Sequence, residues 1–231
     1  YSDLEVLLAI PSIATEKRRE IISKLEQIKV AVRTVPSFHE LISDQKKMTD
    51  IQNLSLDDLL PRARVAKDLV QNAKQKTLFV SGAGGSIGSE IARQLLDNNP
   101  KAIILFDVSE YNLFNVERAC IAIKESKNLD TKIIPILGDI KDSSNLNYLF
   151  QKFSIDCIYH AAAYKHVPLV EDINNITVAC ENNIIGTYNL SLQAIEHKIQ
   201  SFVMISTDKA VRPSNVMGAS KRMAEMVIQS L

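Results

Sequence analysis

The sequence predicts a doubly wound α/β fold with a parallel sheet, on three observations. Residues 77–81, 102–107, 131–137, 155–160 and 201–206 are short apolar runs, each followed by a helical pattern or by a loop leading into one. The first run opens into Ser81-Gly82-Ala83-Gly84-Gly85-Ser86-Ile87-Gly88, after which Ile87, Ile91 and Leu95 recur at helical spacing. The second run ends in Asp107, about 20 residues beyond that turn. Strand, glycine turn, helix and acid-ended strand together make a Rossmann-type unit.

The chain ahead of this unit reads differently. Leu4-Glu5-Val6-Leu7-Leu8-Ala9-Ile10 is a strand stopped by Pro11, and Ile21, Ile22, Leu25 and Ile28 follow at helical spacing. Val30-Ala31-Val32-Arg33-Thr34-Val35 is a second strand, stopped by Pro36. One βαβ unit in residues 1–36 cannot bury both faces of a sheet, so it is expected to be the end of an N-terminal domain cut from a longer protein. Residues 37–76 carry mixed charge, Asp57-Asp58 and Pro61, and read as a connector with one or two short helices. Residues 77–231 form the main domain.

Composition narrows the function classes. Lys plus Arg and Asp plus Glu both number 27, so the formal charge is zero, and no whole-molecule field draws in nucleic acid or an anionic membrane. Cys120, Cys157 and Cys180 are widely spaced in apolar patterns, which favours structural thiols in a reducing compartment over metal ligation or disulfides. No apolar run approaches the ~20 residues of a membrane span and no signal peptide is visible, so a cytoplasmic chain is expected.

The glycine turn points to a dinucleotide. Gly82, Gly85 and Gly88 permit a sharp turn, close approach of a pyrophosphate and tight helix packing, and the helix start at Ser86 and Ile87 offers N–H groups to the anion. Asp107 is the candidate for the ribose hydroxyls and favours NAD over NADP, because a carboxylate there repels a 2′-phosphate. Ser109 is the expected N-cap of the next helix, which buries Leu113, Val116, Cys120 and Ile123. The third strand leads to Gly138-Asp139-Ile140, where Asp139 either meets the adenine amino group beside Ile140 or is a turn residue.

The later strands deliver polar residues to the same sheet edge. Ala161, Ala162 and Ala163 follow the fourth strand and leave room for a flat ligand, or else allow close helix packing. Lys165 and His166 come next and are candidate substrate contacts, with a structural role for His166 equally open. In the apolar helical pattern of residues 174–197, Asn183 requires partners and reaches either the cofactor or neighbouring backbone. The fifth strand delivers Ser206-Thr207-Asp208-Lys209, followed by Met217 and Lys221 one helical turn apart. For Asp208 and Lys209 the plain alternative is a surface ion pair.

At this point the sequence resembles the extended, sugar-nucleotide branch of the short-chain dehydrogenase/reductase superfamily. Lys221 fits the lysine of that superfamily's Tyr-x-x-x-Lys pair, but Met217 stands at the tyrosine, and a thioether exchanges no proton at neutral pH. The residues 81–90, Glu110-Tyr111-Asn112-Leu113, His160-Ala161-Ala162-Ala163-Tyr164-Lys165-His166-Val167-Pro168, Glu181-Asn182-Asn183 and Ser206-Thr207-Asp208-Lys209-Ala210 are closer still to one group. They resemble the bacterial UDP-N-acetylhexosamine 4,6-dehydratases of capsule, O-antigen and glycan synthesis, whose large members also carry methionine at the tyrosine position.

That resemblance implies an NAD-dependent lyase acting on UDP-N-acetylglucosamine, with Asp208 as acid, Lys209 as base, Thr207 near the C4 hydroxyl, and Met217 and Lys221 completing the site. A homo-oligomer is expected, paired through helices around 174–197 and 216–230; Met217 resembles the C5-retaining rather than the inverting members, and the resemblance implies a membrane-spanning region ahead of residue 1 in the complete protein. A substrate-binding part is expected beyond residue 231, without which the chain binds NAD but need not turn over. A sugar-nucleotide 4-epimerase and a non-catalytic dinucleotide-binding module are the competing readings.

Overall fold

The computed structural model describes residues 5–8, 17, 21, 24, 25, 31–34, 52, 53 and 73–231, and the chain forms two compact units, Tyr1–Val65 and Ala66–Leu231. In the first unit, strand β1 (Glu5–Leu8) pairs in parallel with β2 (Ala31–Thr34), Glu5 opposite Ala31. Lys17, Ile21, Lys24 and Leu25 between them are helical, as suits the crossover connection that parallel strands need. Gln52–Asn53 adds β3, antiparallel to β2, within the stretch read as a connector. The connector's expected helices, Ile22, Ile28 and the prolines at 11, 36 and 61 lie outside the described residues.

The second unit holds a five-stranded parallel sheet. Its strands are β4 (Thr77–Ser81), β5 (Ala102–Asp107), β6 (Lys132–Leu137), β7 (Cys157–His160) and β8 (Ser201–Met204), in the order β6-β5-β4-β7-β8. The chain runs outward from β4 to β6, then crosses back to β7 and β8. The connections therefore diverge between β4 and β7, which opens a crevice at the carboxyl ends of those two strands. Three strands are shorter than their apolar runs: Thr131 precedes β6, Ile155 and Asp156 precede β7, and Ile205 and Ser206 follow β8 into the crevice.

Side chains alternate between the two faces, as strand geometry dictates. Leu78, Val80, Ile103 and Leu105 pack with Leu95 and Leu96 of helix α1 (Ser86–Leu96) and with Leu113, Val116 and Cys120 of α2 (Glu110–Ser126). Phe79, Ile104, Phe106 and Ile158 pack on the other face with Leu146, Leu149 and Phe150 of α3 (Ser143–Lys152) and with Leu190. Burial on both faces explains why β4 and β5 read as continuous apolar runs. Pro135 is tolerated because β6 is an edge strand, with a free side that needs no N–H. Cys120 and Cys157 lie in this core, and burial pushes the Cys120 thiol up to about 11.

After β7 come a short helix α4 (Val167–Val170) and the long helix expected from residue 174. It begins as α5 (Ile176–Cys180), widens into a π-turn over Glu181–Ile185, and continues as α6 (Gly186–Glu196). Apolar periodicity predicts a uniform helix here and does not reveal the wide turn, on which Asn183 lies. A 3₁₀ turn (Asp208–Ala210) and α7 (Val216–Ser230) complete the unit. Among the described residues, no helix is long and apolar enough to cross a membrane and no His, Cys, Asp and Glu cluster fit for a metal occurs.

Phe79 is fully buried, with the rings of Phe106 and Phe150 each 5.4 Å from its own, so it joins strand β4 to β5 and α3. Phe79→Ala is expected to destabilise this unit by about 3–5 kcal/mol, read from the urea midpoint. A loss under about 1 kcal/mol contradicts this account of the core.

Candidate functional site

The crevice is built from the ends of β4, β5, β7 and β8. Gly82 leaves β4 with φ of 66°, and a Cβ there stands 2.6 Å from the backbone N of Ala162, so the first turn and the alanine run touch without side chains between them. Gly85 caps α1 with extended backbone and no side-chain bond, leaving the first-turn amides at Ser86, Ile87 and Gly88 available to an anion. Asp107, buried at the end of β5, holds the turn from the side: Oδ2 accepts from Gly84 N at 2.8 Å and Oδ1 from Ser109 N at 2.8 Å. Each oxygen retains a lone pair for a second donor.

Two cavities meet over the glycine turn. The first, about 290 Å³, is lined by Gly82, Gly85, Asp107, Asp139, Ile140 and the three alanines 161–163, joined by Asn182. The second, also about 290 Å³, is lined by Ser86, Ile87, Gly88, Lys165, Thr207, Lys209, Met217 and Lys221. Gly85, Ala161 and Ala163 belong to both. An extended molecule with two flat ends and an anionic middle fits this arrangement, the middle lying at the start of α1.

The expected residues meet these cavities differently. Asp139, in the lining of the first, accepts at Oδ1 from Lys141 N at 2.9 Å and pairs through Oδ2 with Lys141 Nζ at 3.5 Å. His166 lines a third cavity with Lys165, Leu169 and Val170, apart from Thr207 and Lys221. Asp208 has a side chain 77% exposed, outside the cavity lining. Of the two alternatives for Asn183, the amide takes the backbone. Its Oδ1 accepts from Tyr164 N at 2.8 Å, and its Nδ2 donates to Tyr164 O and Ser220 Oγ, both at 3.0 Å.

Behind the cavities runs a buried polar chain that pairs residues far apart in sequence. Thr187 Oγ1 donates its single proton to Asn183 O at 2.7 Å, so it accepts from His160 Nε2 at 2.9 Å. The His160 Nδ1 is then an acceptor, and Ser81 Oγ donates to it at 2.7 Å. Burial, followed by the nearby charge of Lys221, pushes His160 down to about 3, so the ring is neutral. Ser81 and His160 lie 79 positions apart, and no local pattern links them.

The chemistry at the second cavity is set by burial and by local bonds. Lys221 is buried and its Nζ donates to Ile205 O at 2.8 Å; burial lowers its pKa to about 8, against the opposing pull of Glu225. Thr207 Oγ1 donates to Asp208 Oδ1 at 3.0 Å, and this bond, then the Lys209 charge, holds the Asp208 carboxyl below its ordinary value. Lys209 Nζ lies 3.8 Å from Asp208 Oδ1. Met217 is buried beside Val170 and Ala179 and borders the cavity, where its thioether excludes water without exchanging protons. Sequence reasoning missed Asn182 as a lining residue and Glu225 as a partner of Ser206, a pair 19 positions apart that no local spacing signals.

A family model described as polysaccharide biosynthesis protein matches residues 78–231. The capsular polysaccharide biosynthesis protein CapD of Staphylococcus aureus is 39% identical over 233 residues, covering 98% of this chain and 38% of that protein. The probable polysaccharide biosynthesis protein EpsC of Bacillus subtilis (strain 168) is 38% identical, again over 98% of this chain and 38% of its own length. The chain thus spans under half the length of these relatives. Among solved structures, DesIV, a dTDP-glucose 4,6-dehydratase from Streptomyces venezuelae with NAD and TYD bound, superposes with a TM-score of 0.54. It shares 27% identity, over 67% of this chain and 51% of that one.

His160 has a consequence for acid stability. The folded chain leaves it neutral down to about pH 3, whereas an ordinary histidine of the unfolded chain takes a proton below 6.5. Between those values the unfolded state binds more protons, so stability falls as pH drops from 6.5 toward 3. The urea midpoint is expected to fall across this window, and less steeply in His160→Gln. Equal slopes for the two proteins would refute the assignment.

Proposed function

We propose, given that the chain belongs to the polysaccharide biosynthesis protein family, that it carries out NAD-dependent dehydration of a UDP-N-acetylhexosamine, with UDP-N-acetylglucosamine as substrate. The product is the 4-keto-6-deoxy sugar, a precursor for surface polysaccharide or glycan. The observation that supports this reading is that Thr207 and Lys209 line a cavity that also holds Met217 and Lys221 and adjoins the glycine turn, with Asp208 exposed beside them and paired with Lys209. A base and an acid side by side suit an elimination, in which one proton leaves and another is delivered.

The residues present fit a dinucleotide. Gly82 gives a cradle that any side chain would fill, the start of α1 accepts the pyrophosphate, and Asp107 stands where ribose hydroxyls donate. NAD, when bound, supplies a hydride acceptor that later returns the hydride. Lys221, buried against Ile205 O, provides a cation at the cavity floor for the oxygen that becomes the 4-keto group.

Asp208 and Lys209 stand as an ion pair in the open site. Elimination needs the opposite protonation, a neutral Lys209 to take the C5 proton and a protonated Asp208 to give one to the departing C6 hydroxyl. Covering the pair with substrate disfavours both charges at once and favours proton transfer from the ammonium to the carboxylate. The pair is left in its charged form after the proton uptake and release. Thr207, bonded to Asp208 Oδ1, keeps the carboxyl turned toward the lysine side.

Mass spectrometry of the full-length protein incubated with UDP-N-acetylglucosamine is expected to find a product lighter by one water. Asp208→Asn is expected to lower turnover by about 100-fold or more with NAD still bound. Retained turnover in that variant sinks the role of Asp208, and formation of an epimer without 4-keto sugar selects an epimerase instead.

A further inference from the structure

Helix α7 grips the segment after β8 at three points. Lys221 Nζ donates to Ile205 O at 2.8 Å, and Ser206 Oγ donates to Glu225 Oε1 at 2.5 Å. The α-carbon of Gly218 lies so close to Lys209 O that a Cβ there would overlap it. Residues 218, 221 and 225 share one helical face, and their contacts fall on both sides of Thr207 and Asp208.

Lys221 and Gly218 have other work, at the cavity and at the helix start. Glu225 does not line the cavity. Its second oxygen, Oε2, accepts from Arg222 Nη1 at 2.8 Å, which aims the first at Ser206, and its side chain is 24% exposed. The Ser206 hydroxyl, then Arg222, hold the Glu225 carboxyl below its ordinary value, so the acceptor is ionised and the bond is charge-assisted. Inside the turn the bonds are local. Lys209 N reaches Thr207 Oγ1 only at 3.4 Å, two 3₁₀ bonds run from Ala210 N to Thr207 O and from Val211 N to Asp208 O, both at 3.1 Å, and Ala210 is buried while Asp208 and Lys209 are exposed.

We propose that Glu225 is a positioning residue, which through Ser206 holds the Thr207-Asp208-Lys209 turn at the cavity mouth. It acts on the backbone of that turn and touches neither sugar nor dinucleotide. The effect on turnover rests on the dehydratase reading, whereas the effect on the turn does not.

Hydrogen exchange at residues 208–211 of the full-length protein tests the restraint directly. Glu225→Ala and Ser206→Ala are each expected to speed exchange there by about tenfold, with the rest of α7 unchanged. Glu225→Gln, which still accepts from Ser206, stays within about threefold of wild type, and the double alanine variant exchanges no faster than either single one. In turnover, Glu225→Ala is expected to lower kcat about tenfold at unchanged KM and NAD content. Unchanged exchange in Glu225→Ala, multiplying effects in the double variant, or a glutamine variant as fast as alanine overturns the proposal. So does a kcat within about twofold of wild type when wild type forms the 4-keto sugar. Should wild type form none, the dehydratase reading fails while exchange still decides the role of Glu225.

Discussion

A neutral imidazole, His160, sits where the sheet, the glycine turn and the long helix meet, and much of the site depends on it. Its two nitrogens have fixed roles because each neighbour has one proton to give: Ser81 donates to Nδ1, and Nε2 donates to Thr187, which spends its own proton on Asn183 O. The chain of bonds has a single direction and no spare donor. Each link is worth only about 1 kcal/mol net, but a buried group stranded by the loss of its partner costs about 1–3 kcal/mol. Tyr164 and Ser220 are then set by the Asn183 side chain, and Met217 O by Ser220. A buried line of bonds thus joins the cradle for the anion to the helix that carries Lys221.

The π-turn over Glu181–Ile185 belongs to the same constraint. Asn182 and Asn183 are both buried on this turn, Asn182 lining the first cavity while Asn183 clasps the Tyr164 peptide. π-turns within α-helices tend to mark functional positions, and this one stands directly behind the alanine run.

Electrostatics divide the site into a fixed and an open part. Lys221 and His160 are buried, and burial pushes both toward their neutral forms. Asp208 and Lys209 face solvent as an ion pair whose strength water limits. Lys221 lies at the floor with His160 behind it, and the exposed pair is the part whose charge state a ligand can alter. The difference follows from position: the floor lies on a helix and a strand end, the pair on a single 3₁₀ turn.

The sequence by itself determined the fold class and the edge of the sheet at which the site lies. The continuous apolar runs at residues 77–81 and 102–107, the glycine turn and the N-cap at Ser109 are local features that a short stretch of sequence displays. It also brought Lys165, Thr207, Lys209, Met217 and Lys221 to one edge, because each follows a strand in a known order. Only the tertiary structure decided which of these share a cavity. His166 lines a separate cavity, Asp208 stands exposed beside Thr207 and Lys209, Asn183 is spent on Tyr164, and Glu225 is engaged by Ser206. Those outcomes depend on contacts between residues up to 79 positions apart, and a hydrogen bond leaves no periodic trace in the sequence of either partner.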